Sequence, residues 1–338
     1  MKAYHVYIMR TEAVSPTRRV QLHAGYGTLE TDIDRRRFEL LTHMYSCINH
    51  KTKNPDIPLV LITDEHTLKY YDDWQLTGLY DEVINDFHDD YPRDRIAEGF
   101  WASPKIWAMH KLHAPFVIFD ADLVLHKPLS TYNDCDLLYL HREASTQYPN
   151  PYEIVGPPGF QWGDEMIRSF RGTLPMNCAT IGIFNEDFKL DYVERYFDFV
   201  LDSPGTLMYA TESPYNLPSL VAPQILVEQW LLAALAYKWK KFDNKPLRTR
   251  AVVKALWASD YFSPLDMDLD PWVIDGELDD NFYHLWGAKK IQNDPTSPLY
   301  DYVRNVLLEG RFIVEQSPQF PIVKDVYERI IAGLTDGR

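Results

Sequence analysis

This 338-residue sequence contains few cysteines and no long apolar run, and its net charge is not positive. The cysteines, Cys47, Cys135 and Cys178, lie far apart without CxxC spacing. An odd, scattered set of this kind argues against a disulfide scaffold or a structural zinc site and favours a reducing compartment. The cysteine usage therefore excludes the small disulfide-stabilised folds.

Apolar runs are also short. The most apolar stretch covers residues 231–236, well below the ~20 residues that a membrane helix needs. The first ten residues contain too short an apolar run for a signal peptide. From these two features we expect a soluble, cytoplasmic protein without a transmembrane segment.

The formal net charge is −15, whereas proteins that grip nucleic acid by its phosphates present basic surfaces. General nucleic-acid binding is therefore disfavoured. A phosphate-bearing substrate would need a divalent cation to mediate its contact with so acidic a chain. Aromatic residues make up 14% of the sequence, and such rings fill cores but also line carbohydrate and nucleobase sites.

Strand and helix patterns alternate over the first 125 residues. Strands are predicted over 4–9, 59–62 and 116–119. The continuous apolar run over 59–62 indicates a strand covered on both faces, as in a parallel sheet. Apolar residues at helical spacing predict a helix over 38–48, and Ser103 reads as the N-cap of another helix. This alternation predicts an α/β fold with a central, mostly parallel sheet flanked by helices.

The second half is less regular. Prolines and glycines predict a long loop region over 145–175, of the kind that often forms lids or substrate walls. A strand is expected over 179–184, with helices over 191–201 and 225–239. Further strands are expected over 250–256 and 282–286, and closing helices over 297–309 and 322–334. With no convincing linker in the sequence, we expect one catalytic domain over residues 1–295 and a C-terminal helical extension over 296–338.

The most informative segment is the predicted strand over 116–119, which ends in Asp120-Ala121-Asp122. Ligands of open α/β sheets bind beyond the carboxyl ends of the strands. Two carboxylates one residue apart can both reach a hard cation, which would neutralise a diphosphate leaving group. The alternative is a polar strand end followed by a turn. Tyr7 and Arg10, at the end of the first strand, and Asp64, after the second, are further candidates for a nucleoside pocket.

This segment resembles the Asp-x-Asp strand of GT-A fold nucleotide-sugar-dependent glycosyltransferases, especially the retaining group with glycogenin-like and lipooligosaccharide galactosyltransferases. The following Val124-Leu125 and Lys127-Pro128-Leu129 are similar to that family as well. The resemblance implies that Asp120 and Asp122 hold Mn²⁺ or Mg²⁺ against the diphosphate of a nucleotide-sugar, a uridine one being expected, and that configuration is retained. By motif order it covers roughly residues 1 to 290.

Two basic segments agree with the resemblance. The run from His284 to Lys289 is similar to the family's histidine–glycine–lysine pattern, which implies His284 as third metal ligand and Lys289 as a diphosphate contact. Lys105, in the helix before the metal strand, is implied as a contact of the donor phosphate or sugar. A structural histidine and a solvated lysine are the plainer alternatives.

Two further positions are implied by the same family. Glu228-Gln229 resembles an Asp-Gln pair that lies beside the anomeric carbon, where a carboxylate stabilises an oxocarbenium-like transition state or orients the acceptor. Asn177 lies in a segment that loosely resembles the family's Asn-Ser-Gly strand and is a candidate sugar contact. Glu228 as a surface residue at a helix start is the alternative.

Two other functions fit part of the pattern. Asp120-Ala121-Asp122 also matches the signature of haloacid-dehalogenase-type phosphatases, in which the first aspartate attacks phosphorus. That family starts near this motif, whereas 119 residues precede it here, and Asp279-Asp280 follows no apolar strand. A non-catalytic nucleotide-sugar or glycan-binding module is the second alternative. The acceptor stays open among a polysaccharide, a lipid-linked glycan, a protein hydroxyl and a hydroxylated DNA base.

Overall fold

The computed structural model describes the following residues: 1–8, 33–86, 90–92, 95–96, 100, 102–121, 123–125, 127–142, 162–201, 226–252, 282–284, 315, 324–325 and 327–328. At 33–39, 41 and 282–284 it describes the backbone alone. The strands are β1 Lys2–Val6, β2 Leu59–Ile62, β3 Glu82–Ile84, β4 Phe116–Phe119, β5 Leu123–Leu125, β6 Leu137–Tyr139, β7 Thr180–Ile183, β8 Thr249–Ala251 and β9 Phe282–His284. The α-helices are α1 Ile33–Lys53, α2 Glu65–Asp73, α3 Ser103–Lys111, α4 Asp164–Arg171, α5 Glu186–Leu201 and α6 Leu231–Lys241. Short 3₁₀ helices span Leu76–Leu79 and Leu129–Tyr132, and a π-helix spans Leu226–Trp230.

Seven strands form one mixed sheet in the order β3-β2-β1-β4-β7-β6-β8, and β5 and β9 form a separate two-stranded sheet. β1, β2 and β3 pair in parallel, as do β6 and β8, whereas β6 and β7 are antiparallel. The predicted α/β architecture, a mostly parallel sheet flanked by helices, is confirmed. The apolar runs over 59–62 and 116–119 are strands in which every residue is buried.

The chain divides into two compact units. The first comprises Met1–Asp89, Phe119–Thr131 and Asn281–Arg338. In it, α1 packs against β2 and β5, and the interior is filled by Met44, Tyr45 and Ile48 of the helix with the wholly apolar β2. α1 also carries buried polar residues on this inner side, including Ser46 and Asn49.

The second unit comprises Asp90–Ile118 and Tyr132–Asp280. Its helices pack α3 on α5, α4 on α6 and α5 on α6. Large side chains of α5 fill the interior, among them Phe188, Tyr192, Tyr196 and Phe199, each at most 1% exposed. Trp230 and the first residues of α6 complete it.

Several local predictions differ from the structure. The first strand is Lys2–Val6 and not 4–9, and the helix expected over 225–239 begins as the π-helix Leu226–Trp230. Residues 164–171, expected to be loop, form the amphipathic helix α4, with Met166 and Phe170 buried one turn apart. Ser103 is not an N-cap: it is the first residue of α3, after Ala102, and its buried hydroxyl bonds to Tyr196 Oη at 2.8 Å. The Ser103 hydroxyl thus makes a tertiary hydrogen bond and no capping bond.

The C-terminal extension stays a prediction. Beyond residue 295 the described residues are Glu315, Lys324, Asp325, Tyr327 and Glu328, each within helical backbone. The expected helix over 297–309 lies outside the described residues. Among the helices that are described, none combines the length and the apolar character that crossing a bilayer requires.

Candidate functional site

β4 ends directly before Asp120. Its four residues are at most 2% exposed, and Asp120, which is half-buried, follows directly. The carbonyl of Asp120 accepts a hydrogen bond from the N–H of Leu123 at 3.0 Å, the i to i+3 spacing of a β-turn. Asp122, the second predicted carboxylate ligand, lies outside the described residues.

The backbone of His284 lies opposite the residue that follows this motif. β5 and β9 are antiparallel, with Leu123 paired to His284 and Leu125 to Phe282. The N–H of Leu123 bonds to Asp120 and its C=O accepts from Ser46 Oγ, so both are used away from β9. Leu123 and His284 therefore form a non-hydrogen-bonded pair, in which Cα atoms stand about 4.5 Å apart.

This pairing joins two motifs that the sequence relates by order alone. The backbone of His284 stands beside Leu123, the residue that follows the Asp-Ala-Asp segment, and its role as a metal ligand stays a prediction. The His284 side chain and all of Lys289 lie outside the described residues. Among the side chains that are described, no three His, Cys, Asp or Glu groups cluster as metal ligands do; Asp122 and His284 are not in that set.

The second unit contains a buried ion pair. Lys105 Nζ lies 3.0 Å from Glu228 Oε1, and the two side chains are 13% and 7% exposed. The ammonium also donates to the carbonyl of Cys178 at 3.0 Å. The sequence singled out Lys105 and Glu228 separately, and the structure brings them into contact.

Glu228 and Gln229 lie in the π-helix that precedes α6. Such segments are rare and frequent at functional sites. Tyr192 donates to the Glu228 carbonyl at 2.9 Å, and Met176 N–H donates to the Gln229 carbonyl at 3.1 Å. Gln229 Oε1 is buried and has no hydrogen-bond partner among the described residues. The π-helix is therefore anchored through its backbone, while one of its side chains keeps an unused acceptor.

Three other candidates have local structural contacts. Asn177 Oδ1 accepts from Ala179 N–H at 2.9 Å, just before β7. Asp64 caps α2 by accepting from Thr67 N–H at 2.7 Å. Tyr7 packs edge-on against His43, with ring centroids 4.6 Å apart. Their donor-binding roles stay predictions, and Arg10 lies outside the described residues.

Sequence reasoning missed the residues of α1 that contact β5. Ser46 and Asn49 stand three positions apart among the apolar Met44, Tyr45 and Ile48. Residues three apart share one face of a helix, and polar residues on an otherwise apolar face require partners when buried. That local signal was present in the sequence, but it does not identify β5 as the partner.

Comparisons with known proteins give one family and several distant structures. A search of curated proteins finds no match. The structure titled "PaToxG Glycosyltransferase" is 10% identical, with a TM-score of 0.35 over 72% of this chain and 70% of that one. Galactosyltransferase LgtC, in complex with donor and acceptor sugar analogues, is 9% identical, with a TM-score of 0.31 over 65% and 69%.

The glycosyltransferase GlyE of Streptococcus pneumoniae TIGR4 is 11% identical, with a TM-score of 0.28 over 58% of this chain and 38% of that one. Similarity at this level assigns no function. The family model described as "Family of unknown function (DUF6734)" matches residues 28–255, more than half of the chain. The chain therefore belongs to the DUF6734 family.

Proposed function

We propose that this protein is a metal-dependent glycosyltransferase that moves a hexosyl or pentosyl group from a nucleotide-diphosphate sugar, with uridine as the expected base, to a hydroxyl acceptor. One observation carries the proposal: the β5–β9 pairing sets the His284 backbone opposite Leu123, directly after Asp120-Ala121-Asp122. Carboxylates at the end of a strand, with a histidine nearby, can bind a cation and through it a diphosphate.

The side chains predicted to bind the metal are of types that suit Mn²⁺ or Mg²⁺. Carboxylate oxygens suit both ions, and an imidazole is also an accepted ligand of transition metals. Asp120, Asp122 and His284 would hold the ion, with Lys289 adding positive charge for the diphosphate. When bound, the ion supplies the charge that neutralises the departing diphosphate.

Lys105, Glu228 and Gln229 suit the sugar end of the donor. The Lys105–Glu228 pair is largely shielded from water, where charges act more strongly on a substrate than they would at an exposed surface. Glu228 would stabilise positive charge developing on the anomeric carbon as its bond to the diphosphate oxygen breaks and a bond to the acceptor oxygen forms, with the acceptor's hydroxyl proton passing to the departing diphosphate. Gln229 Oε1, which has no hydrogen-bond partner among the described residues, suits a sugar hydroxyl, since buried polar atoms normally have a partner.

The test is a screen of nucleotide-sugars for slow donor hydrolysis, with and without Mn²⁺. We expect one donor to be hydrolysed only with the metal. Asp120→Asn should lower that rate by roughly 100-fold or more. Asp56→Asn is the matched control, because Asp56 is an exposed aspartate of the same unit, and it should leave the rate unchanged.

The same screen separates the alternatives. Phosphate release from simple monoesters, with a phosphoryl group trapped on Asp120, would support a phosphatase in place of a transferase. Metal-dependent binding of a nucleotide-sugar without any turnover would support a binding module. No response to any donor, with or without metal, would overturn the proposal.

A further inference from the structure

β5 has an edge that α1 covers. Among the described strands β5 pairs with β9 alone, so the backbone groups on its other edge need partners. Ser46 Oγ donates to the Leu123 carbonyl at 2.5 Å, and Asn49 Nδ2 donates to the Leu125 carbonyl at 2.5 Å. Both side chains are buried, at 1% and 5% exposed. Side chains of α1 thus supply, at this edge of β5, hydrogen bonds of the kind that a neighbouring strand would make.

A third contact extends this arrangement past the end of β5. Asn54, just beyond α1, accepts from the Leu129 N–H through Oδ1 at 2.6 Å. Its Nδ2 lies 3.4 Å from His50 Nδ1, and His50 Nε2 lies 2.9 Å from the Ile57 carbonyl. Because a carbonyl only accepts, His50 donates from Nε2 and accepts at Nδ1. The donors and acceptors of these three hydrogen bonds are therefore consistent with one another.

The direction of the Ser46 hydroxyl is also determined. Ser46 Oγ lies 3.2 Å from His5 Nε2, and His5 Nδ1 lies 2.9 Å from Tyr80 Oη. Since the Ser46 proton goes to Leu123, Oγ accepts from His5 Nε2–H, and His5 Nδ1 shares a hydrogen bond with Tyr80 Oη. His5 is fully buried. A chain of buried bonds thus runs from Tyr80 to the β5 backbone.

We propose that Ser46 and Asn49 are positioning residues for the Asp120–Asp122–His284 site. They hold β5 in the register that pairs Leu123 with His284, and a slip of one residue would turn every side chain of β5 to the opposite face. Neither residue touches the substrate in this account; both act through the backbone of β5. The inference rests on the proposed function, which supplies the metal that this register serves.

The experiment has two readouts that do not require a known donor. The first is hydrogen–deuterium exchange of the peptide that contains β5, measured without metal. The second is the affinity for Mn²⁺ alone, measured from the electron paramagnetic resonance signal of the free ion at a temperature far below the unfolding midpoint. The variants are Ser46→Ala and Asn49→Leu. Thr52→Ala is the control, because that hydroxyl bonds to the Ile48 carbonyl within α1 and not to β5.

We expect exchange of the β5 peptide to become roughly tenfold faster in Ser46→Ala and in Asn49→Leu, since a buried carbonyl loses its donor. The affinity for Mn²⁺ should fall roughly tenfold, the scale of a lost supporting contact around a metal. Thr52→Ala should match the wild type in both. Asn49→Leu provides the same test should Ser46→Ala fail to fold.

Unchanged exchange of β5 in both variants would overturn the inference whatever the metal does. Faster exchange with unchanged Mn²⁺ affinity would also overturn it, leaving the α1 contacts with a purely structural role. If the wild type binds no Mn²⁺ while exchange responds as expected, the proposed metal site fails and the α1 contacts remain as a clamp on β5. The two failures are therefore distinguishable.

Discussion

Lys105 and Glu228 form a buried ion pair, to which we assign both a structural role and the proposed role in chemistry. A charged group that is removed from water is costly unless it is paired, and each of these side chains is at most 13% exposed. Lys105 also meets the Cys178 carbonyl, which satisfies a second donor of its ammonium. The pair is thus held in one geometry, and its proposed role is to place charge near a reacting carbon.

Separating the two roles is possible with paired substitutions. Glu228→Leu leaves Lys105 buried without its counter-charge and should lower the free energy of unfolding by about 3 kcal/mol. The double variant Lys105→Met with Glu228→Leu should recover most of that stability, because no lone charge remains. Denaturant unfolding measures both. Both variants should lack transferase activity, although the double variant recovers stability. A double variant with wild-type activity would contradict the proposed roles of Lys105 and Glu228 in the reaction.

His50 makes stability depend on pH. Burial lowers the pKa of His50 below its ordinary value of 6.5, so the unfolded chain takes up a proton that the native state refuses. Stability from this residue is therefore complete above pH 6.5 and declines as the pH falls below it. The free energy of unfolding of the wild type should fall more than that of His50→Gln between about pH 7.5 and 5.5, where carboxylates stay ionised. Parallel curves for the two proteins would contradict this.

The sequence suggested candidate residues, but it gave no indication of the contacts that those residues make. Asp120, Lys105 and Glu228 were singled out from motif context, and the structure places Lys105 and Glu228 in contact with each other. Asp64 was read as a ligand contact at a strand end, yet its carboxylate caps α2. One residue type serves both purposes after a strand, so the sequence alone does not separate them.

At the scale of elements, continuous apolar runs were the reliable signal. β2 and β4 were predicted at their observed bounds because four consecutive buried residues leave little ambiguity. α4 was missed because prolines and glycines dominate its surroundings, although Met166 and Phe170 stand at helical spacing. The helix expected from residue 225 begins instead as the π-helix Leu226–Trp230. No periodicity rule anticipates that one-turn change.

Close packing inside β7 gives a prediction at this scale. A Cβ on Gly182 would lie 3.0 Å from Leu138 Cβ, 3.1 Å from Phe184 Cε2 and 3.2 Å from Val117 Cγ2. Gly182→Ala should therefore lower the free energy of unfolding by about 1–3 kcal/mol through overpacking. Gly163→Ala is the control, since nothing lies within 4 Å of a Cβ there, and it should cost less than about 1 kcal/mol. Equal effects of the two substitutions in thermal or denaturant unfolding would contradict the steric explanation.

At the scale of the whole molecule, the pairing of distant strands could not be predicted from the sequence. Strand order and the antiparallel partner of β5 depend on contacts between segments far apart in the chain, for which a single sequence contains no direct signal. The resemblance implies His284 as a metal ligand, and the register of β9 against β5 pairs its backbone with Leu123. The metal-ligand role stays a prediction. The acidic chain, at −15, is compatible with a phosphate-bearing donor if a cation mediates the contact.

The most direct measurement is anomalous diffraction at the manganese absorption edge, from crystals grown with Mn²⁺ and the nucleotide-sugar found in the screen. We predict one strong peak in contact with the carboxylates of Asp120 and Asp122 and with the imidazole of His284, next to the diphosphate of the donor. A peak elsewhere, no peak, or an imidazole of His284 turned away from the carboxylates would contradict the account.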